Sequence, residues 1–292
     1  MTLLTAAEEK RIAERFAPAV AWRTIALTIA LPCLQAGLVF AALSGAISFW
    51  LATPLLGLIA YAYYTLIHES IHGNIIRNRR FSWLNSLIGW WGSLNLFYTW
   101  PNFRRTHLAH HSHTNGKDDP DAKLVGGNFL RLFKLLLLTP LIFVVPYFLF
   151  EKIDTANYGD AKSTLTKEEY RVHLIVMHGL QAAFLVAILT GHAVPFILLY
   201  LAPALIGAYL LAIFFQWLPH YPFDRTERYQ NARISEWPLA DYLLFGQNVH
   251  LAHHLWPSAP FYHYRPLYEA LKPHLEEKGA RIEGLRPMGR LA

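Results

Sequence analysis

The stretch His107-Leu-Ala-His-His111 recurs unchanged as His250-Leu-Ala-His-His254, more than a hundred residues further along the chain. On a helix, positions i, i+3 and i+4 share a face. His107, His110 and His111 can therefore point at one spot, as can His250, His253 and His254. A further pair, His68 and His72, closes an apolar run. Neutral imidazole is the commonest metal ligand, and burying six imidazoles without partners is costly. The economical reading is a polyhistidine metal centre. With His220 the set reaches nine, enough for two ions, because one ion takes at most about six donors and a catalytic site leaves a position open.

Outward from these boxes the chain is apolar. Hydrophobic residues make up 54% of its 292 positions, more than in an ordinary soluble domain. The excess is concentrated in residues 25–49, 51–67, 173–189 and 194–218, four runs without Lys, Arg, Asp or Glu, each near the length that spans a bilayer. The predicted spans are about 25–49, 51–72, 173–190 and 194–218, joined into two hairpins by uncharged connections. Every Lys and Arg lies before the first span, between the second and third, or after the fourth. By the positive-inside rule that side is cytoplasmic, and it carries all nine histidines. The predicted fold class is all-α and integral to the membrane, a single domain over residues 1–292. About four transmembrane helices in two hairpins stand under a cytoplasmic helical cap, built from 73–171 and 219–292, that holds a polyhistidine di-metal site. The net charge of +6 belongs to this orientation and to anionic headgroups, so it gives no call for nucleic acid. A lone cysteine, Cys33, excludes an intramolecular disulfide.

Local signals refine the elements. Thr53 and Pro54 read as the N-cap and first position of the second span, and Gly73 as its terminator. His68 then lies about 21 Å along that helix, near the edge of a hydrocarbon core about 30 Å thick. Pro195 can start the fourth span and Pro219 ends it, with His220 directly beyond. Thr5 with Glu8 and Thr166 with Glu169 read as capping boxes. The first opens a short amphipathic helix on the cytoplasmic surface; the second opens a helix continuing through the third span. Residues 83–100 read as an interfacial or re-entrant helix, with Trp90, Trp91, Phe97, Tyr98 and Trp100 at headgroup depth. Residues 135–150, broken by Pro140 and Pro146, read as membrane-associated without spanning. A crossing there would put the two boxes on opposite sides of the bilayer.

Each histidine has a plainer reading to set against ligation. Alone, His68 and His72 could be interfacial residues satisfied by headgroups; the two triplets change that. His220 rests on position. His113 reads equally as a substrate-side or a surface residue, and His173, His178, His192, His263 and His274 have no partner spacing and read as ordinary. Ligating imidazoles need groups that orient their other ring nitrogen. Gln216, one turn before His220, Asn248 and Asp121 are the candidates near the cofactor, with Glu69, Asp118 and Asp119 close by. A solvated acidic loop is the equal alternative for Asp118 to Asp121. No residue beyond the metal ligands is expected to be catalytic.

The boxes His68-Glu-Ser-Ile-His72, His107-Leu-Ala-His-His111 and His250-Leu-Ala-His-His254, set among paired spans, resemble the membrane fatty-acid desaturase and hydroxylase superfamily. The resemblance implies a four-span fold under a cytosolic cap, and two Fe ions that use O2 as co-substrate to oxidise an unactivated C–H bond. It also implies a ligand after the fourth span, matching His220, and a polar residue one turn earlier, matching Gln216. In the C-terminal third, Trp217-Leu-Pro-His-Tyr-Pro-Phe223, Asn231-Ala-Arg233, Gly246-Gln-Asn-Val-His250 and His254-Leu-Trp-Pro-Ser258 are similar to cyanobacterial-type β-carotene hydroxylases, with ketolases further off. Those enzymes usually carry Arg where Tyr221 stands and Asp where Glu69 stands. The implied activity is hydroxylation of a carotenoid β-ionone ring, the alternative being a fatty-acyl desaturase or related acyl-chain oxidase.

Iron comes from the resemblance alone, since imidazole also suits zinc and copper. A lipophilic substrate has direct support, because a site at the bilayer edge ringed by aromatic residues is open to a hydrophobe in the membrane. No dinucleotide fingerprint is present, so electrons are expected from an external donor such as a ferredoxin-like protein. The expected location is a bacterial cytoplasmic (inner) membrane, with the metal site on the cytoplasmic side. A metal transporter, the competing class, would place its ligands near the midplane.

Overall fold

The computed structural model describes residues 4–149 and 165–284. Four helices are long and apolar enough to cross a membrane: α2 (Trp22–Leu43), α3 (Phe49–Ile71), α9 (Lys167–Leu189) and α10 (Ala193–Trp217). Short helices complete the chain order: α1 (Ala6–Glu14) before them, then α4 (Trp83–Asn95), α5 (Trp100–His113), α6 (Pro120–Val125), α7 (Phe129–Leu138) and α8 (Leu141–Val144) between the hairpins. After α10 come α11 (Ala240–Leu243), α12 (His250–Leu255) and α13 (Tyr264–Glu277). Among the described residues the named strands are one parallel pair, β1 (Arg233–Ser235) with β2 (Arg281–Glu283).

The span boundaries shift from those expected, each for a local reason. The first helix starts at Trp22 and ends at Leu43, so the hairpin turn begins with Ser44. The second starts at Phe49, where the Ser48 hydroxyl accepts from the Leu51 N–H at 3.2 Å. Thr53 is therefore not the cap. It lies inside α3, and its hydroxyl sits 2.7 Å from the carbonyls of Phe49 and Leu198. The second contact follows from a π segment in α10: Ala202 N–H bonds the Ile197 carbonyl, so the next donor in that register is Pro203, which has no N–H. Thr53 takes up the Leu198 carbonyl that proline leaves open. Glycines bring these two helices together, since a Cβ at Gly57 would stand 2.6 Å from the Ile206 side chain and one at Gly207 2.9 Å from Ala60.

The end of α3 matters most, because it places two histidines. Gly73 adopts φ +66°, the Gly73 N–H bonds Ser70 O at 3.1 Å, and the Asn74 N–H bonds Glu69 O at 2.9 Å. This paired pattern is a Schellman stop, and it fixes the last turn on which His68 and His72 stand. Both expected capping boxes form, at Thr5 with Glu8 and at Thr166 with Glu169.

The helix α4 has 13 residues, about 20 Å, too short to span. Phe97 and Trp100, expected at headgroup depth, are instead buried in the protein, packed with α3, α8 and α10. Further on, α7 buries Leu132 but exposes Phe129, Leu130, Phe133 and Leu137, an apolar outer face suited to lying in a lipid interface. Residue 150, at the end of the expected 135–150 segment, lies outside the described residues.

A separate apolar core is formed by α12, α13, β1 and Ala13 of α1. It is stapled by a buried polar pair: Glu9 of α1 accepts from His274 Nε2 at 2.7 Å and from the Tyr229 hydroxyl at 2.6 Å. His173 is likewise a structural anchor, between Thr99 and the Tyr147 hydroxyl.

Candidate metal centre

Nine imidazoles converge from four places in the chain. The last turn of α3 supplies His68 and His72, α5 supplies His107, His110 and His111, the turn after α10 supplies His220, and α12 supplies His250, His253 and His254. Three groups have ligand atoms within 4.8 Å of one another: His68, His72, His107 and His253; His110, His220, His250 and His254; and a bridging set of His111, His253 and His254. The arrangement is that of two adjoining sites sharing a wall.

Ring nitrogens point inward in both. In the first, His68 and His253 present Nε2 atoms 3.0 Å apart, His72 and His107 3.0 Å apart, and His111 stands 3.1 Å from His107 and 2.8 Å from His253. In the second, His110 Nε2 lies 3.1 Å from His220 Nε2 and 3.3 Å from His254 Nε2. Two nitrogens bound at right angles to one ion, each about 2.1 Å from it, are about 3.0 Å apart. The spacing is that of ligands around a cation.

Tautomers make the demand for a cation explicit. His220 Nδ1 faces the Asn231 carbonyl at 3.0 Å, and a carbonyl can only accept, so the ring proton sits on Nδ1. His110 Nδ1 donates to the Asp119 carboxylate at 2.9 Å. His250 Nδ1 faces Gln247 Oε1 at 2.7 Å. In neutral rings each Nε2 is then a bare lone pair aimed at others, a repulsive arrangement that only a bound proton or metal ion relieves. The donor set fits metal ions.

Electrostatics keep the imidazoles available. Burial first, and neighbouring imidazoles second, hold His72, His107, His111, His250, His253 and His254 well below the ordinary histidine value. Burial, reinforced by His110, takes His220 down to about 3. Burial acts on His110 in the same direction, but the carboxylates of Asp121 and Asp119 together outweigh it and raise it. Burial pushes Asp121 up to about 6.

The expected orienting groups divide. Asp119 is fully buried and grips His110, while Asp121 lies 3.8 Å from the same ring and 3.4 Å from the Gln216 amide. Gln216 lies in a second π segment, over Ala212–Trp217, and such bulges recur at functional sites. Asn248 turns away from the rings, donating to Ser235 O and Asp241, and its neighbour Gln247 faces His250 instead. Glu69 bonds the Phe261 N–H at 3.1 Å. Asp118 and His113 are exposed and line a polar cleft with Lys117.

Three orienting residues were not singled out for that role from the sequence, although Asn231 and Gln247 fall in the segments that carry the resemblance. Asn231 acts through its backbone, Gln247 lies in the turn before a box, and Tyr264, whose hydroxyl stands 3.0 Å from His253 Nδ1, belongs to another helix. Below the rings the site is aromatic: Tyr64 is 6.0 Å from His68, and Phe103 and Phe215 pack against Tyr64.

The family model for fatty acid desaturase matches residues 44–285. A beta-carotene ketolase from Paracoccus sp. (strain N81106 / MBIC 01143) is 24% identical over 211 residues, covering 70% of this chain and 72% of the ketolase.

Proposed function

Because the chain belongs to the fatty acid desaturase family, we propose that it hydroxylates the β-ionone ring of a carotenoid, using O2, two iron ions held by the nine imidazoles, and electrons from a ferredoxin-like donor. An oxidoreductase of desaturase or carotenoid-oxygenase type is the coarser statement that the family and the ketolase relative support. The observation that carries the finer reading is the meeting of nine inward-facing imidazoles directly above an aromatic floor, at one end of four lipid-compatible helices.

Two iron ions bound there would supply the activation of O2 needed to oxidise an unactivated C–H bond. The chain's residues supply everything else. His68, His72, His107, His111 and His253 would hold one ion and His110, His220, His250 and His254 the other, with His111 on the shared wall. Asp119, Asn231, Gln247 and Tyr264 fix ring orientation, and Gln216 and Asp121 stand where they can hold a proton or water beside His110. Tyr64, Phe103 and Phe215 form an apolar seat that aligns a hydrocarbon ring and keeps bulk water out. The basic segments beside the histidine end support a cytoplasmic face in a bacterial inner membrane.

Expression in a host that accumulates β-carotene, together with a working ferredoxin and its reductase, tests the reading. The expected product carries one ring hydroxyl, and a second oxidation of the same carbon would give a ketone, so product analysis must separate the two. Unchanged pigment with altered acyl chains would replace the carotenoid reading by an acyl-chain oxidase.

A further inference from the structure

One segment outside the four long helices presents a lipid-like surface. In 237–246 the chain makes an elbow around α11, with Leu239 65%, Tyr242 80% and Leu243 55% exposed. Leu239, Phe245 and Gly246 all take positive φ, at 68°, 48° and 75°, which folds the elbow into a tight projection. Much of its backbone bonds within the segment: Ala240 N–H bonds Trp237 O, Tyr242 and Leu243 bond Leu239 O, Leu244 bonds Ala240 O, and Gly246 bonds Asp241 O. Pro238 has no N–H to satisfy. The one charged side chain of the elbow, Asp241, is paired with Arg265 at 3.0 Å.

Two contacts set the depth. The Tyr61 hydroxyl donates to Leu243 O at 3.3 Å, and Tyr61 lies eleven residues before His72, about 16 Å down α3. Phe245 packs against the cluster that holds Leu31, Ala62, Tyr63 and Leu66, and Leu31 lies nine residues into α2, about 14 Å from Trp22. From the elbow an unbroken series of rings leads to the metal centre: Phe245 to Tyr61 at 5.9 Å, Tyr61 to Phe215 at 5.4 Å, Phe215 to Tyr64 at 4.9 Å and Tyr64 to His68 at 6.0 Å.

We infer that the elbow dips into the hydrocarbon of the bilayer and is the mouth through which a lipophilic substrate passes from lipid to the metal centre, with Phe245 at its inner end. The route rests on the proposed function; the insertion does not.

The test uses the full-length protein in phosphatidylcholine vesicles. In a Cys33→Ser background, Tyr242→Cys is labelled with a fluorophore, and Lys117→Cys in the exposed loop between α5 and α6 serves as reference. Nitroxide on the acyl chains is expected to quench the label at 242 at least about threefold more than at 117, as burial in hydrocarbon requires. Equal quenching, or quenching at 242 by aqueous iodide, overturns the insertion. In the same vesicles Tyr242→Asp is expected to raise the KM for β-carotene by about tenfold, the effect of about 1.4 kcal/mol, with kcat and iron content retained. A fall in kcat or iron at unchanged KM overturns the route. If the wild type oxidises acyl chains and leaves β-carotene untouched, the carotenoid reading falls and the same KM comparison decides the route on the acyl substrate.

Discussion

Replacing Asp119 by Asn tests whether the metal centre depends on its orienting carboxylate. Oδ1 accepts from His110 Nδ1 and from the Asp121 N–H, both at 2.9 Å, and Oδ2 accepts from the Asn115 N–H at 2.6 Å. Asparagine keeps the shape but has one acceptor oxygen. Whichever way its amide is turned, an NH2 faces a buried N–H, either at His110 or at Asn115. A buried donor left without an acceptor costs about 1–3 kcal/mol. Loss of an outer partner to a ligating histidine typically lowers metal affinity by about 10- to 100-fold, or about 1.4–2.8 kcal/mol. Both routes give the same scale. The assay is iron content against free-metal concentration for purified wild type and Asp119→Asn in detergent, with thermal unfolding of the metal-free forms as the check on folding. The variant is expected to need at least about tenfold more free iron for half loading. Equal loading curves would falsify the claim that Asp119 holds His110 for a metal.

Three further outcomes follow from the geometry. Metal-free protein is expected to lose thermal stability as pH falls below about 6.5, because the unfolded chain binds protons there that the buried rings refuse, at about 1.4 kcal/mol per pH unit for each proton; the depressed rings outside the spans are His72, His107, His111, His220, His250, His253 and His254, against His110 and Asp121, whose raised values act in the opposite sense. A melting temperature flat from pH 7 to about 5 would contradict this. Thr53→Val leaves the Leu198 carbonyl without its donor and is expected to destabilise by about 1–3 kcal/mol, read as a lower melting temperature with iron content intact. Gln247→Leu removes the acceptor of His250 and should weaken iron loading by about 10- to 100-fold without shifting the KM for substrate; a change confined to KM would assign Gln247 to the substrate instead.

Much of this was legible in the sequence because two periodicities carried it. Charge-free runs of bilayer length locate four long helices, and the i, i+3, i+4 boxes locate eight of the nine rings on helix faces or ends. Thr5 with Glu8 and Thr166 with Glu169 are local signals and form as expected. What sequence left open depends on contacts between distant segments. Ser48 and Thr53 are equivalent as caps by type; Ser48 takes the role, and Thr53, inside the helix, gives its hydroxyl to a carbonyl across the bundle. Trp100 has the composition of a headgroup anchor, yet Gly89 allows its ring to lie against α4, where a Cβ would stand 2.3 Å from it. Tyr264 reaches His253 only after α12 and α13 have packed, so no spacing announces it, whereas Gln247 is local to His250 and was hidden because a turn amide is no signal by itself.

The C-terminal core and the site answer one physical problem. Lone pairs at His110, His220 and His250 face each other only because separate acceptors hold the far side of each ring, and those acceptors come from the loop at Asp119, the carbonyl at Asn231 and the turn at Gln247. Two of those supports hang on β1. The Arg233 N–H bonds Pro219 O at 2.9 Å, tying the strand to the turn that carries His220, and the Ser235 N–H bonds Asn248 O at 2.6 Å, tying it to the turn that carries His250. In turn β1 pairs with β2, and the α13 that precedes β2 is fastened to α1 through His274 and Glu9. A three-residue strand contributes little stability of its own. Its role is geometric, since it holds two ligand-bearing turns in register, and rings held in advance need not be reordered when a metal ion binds.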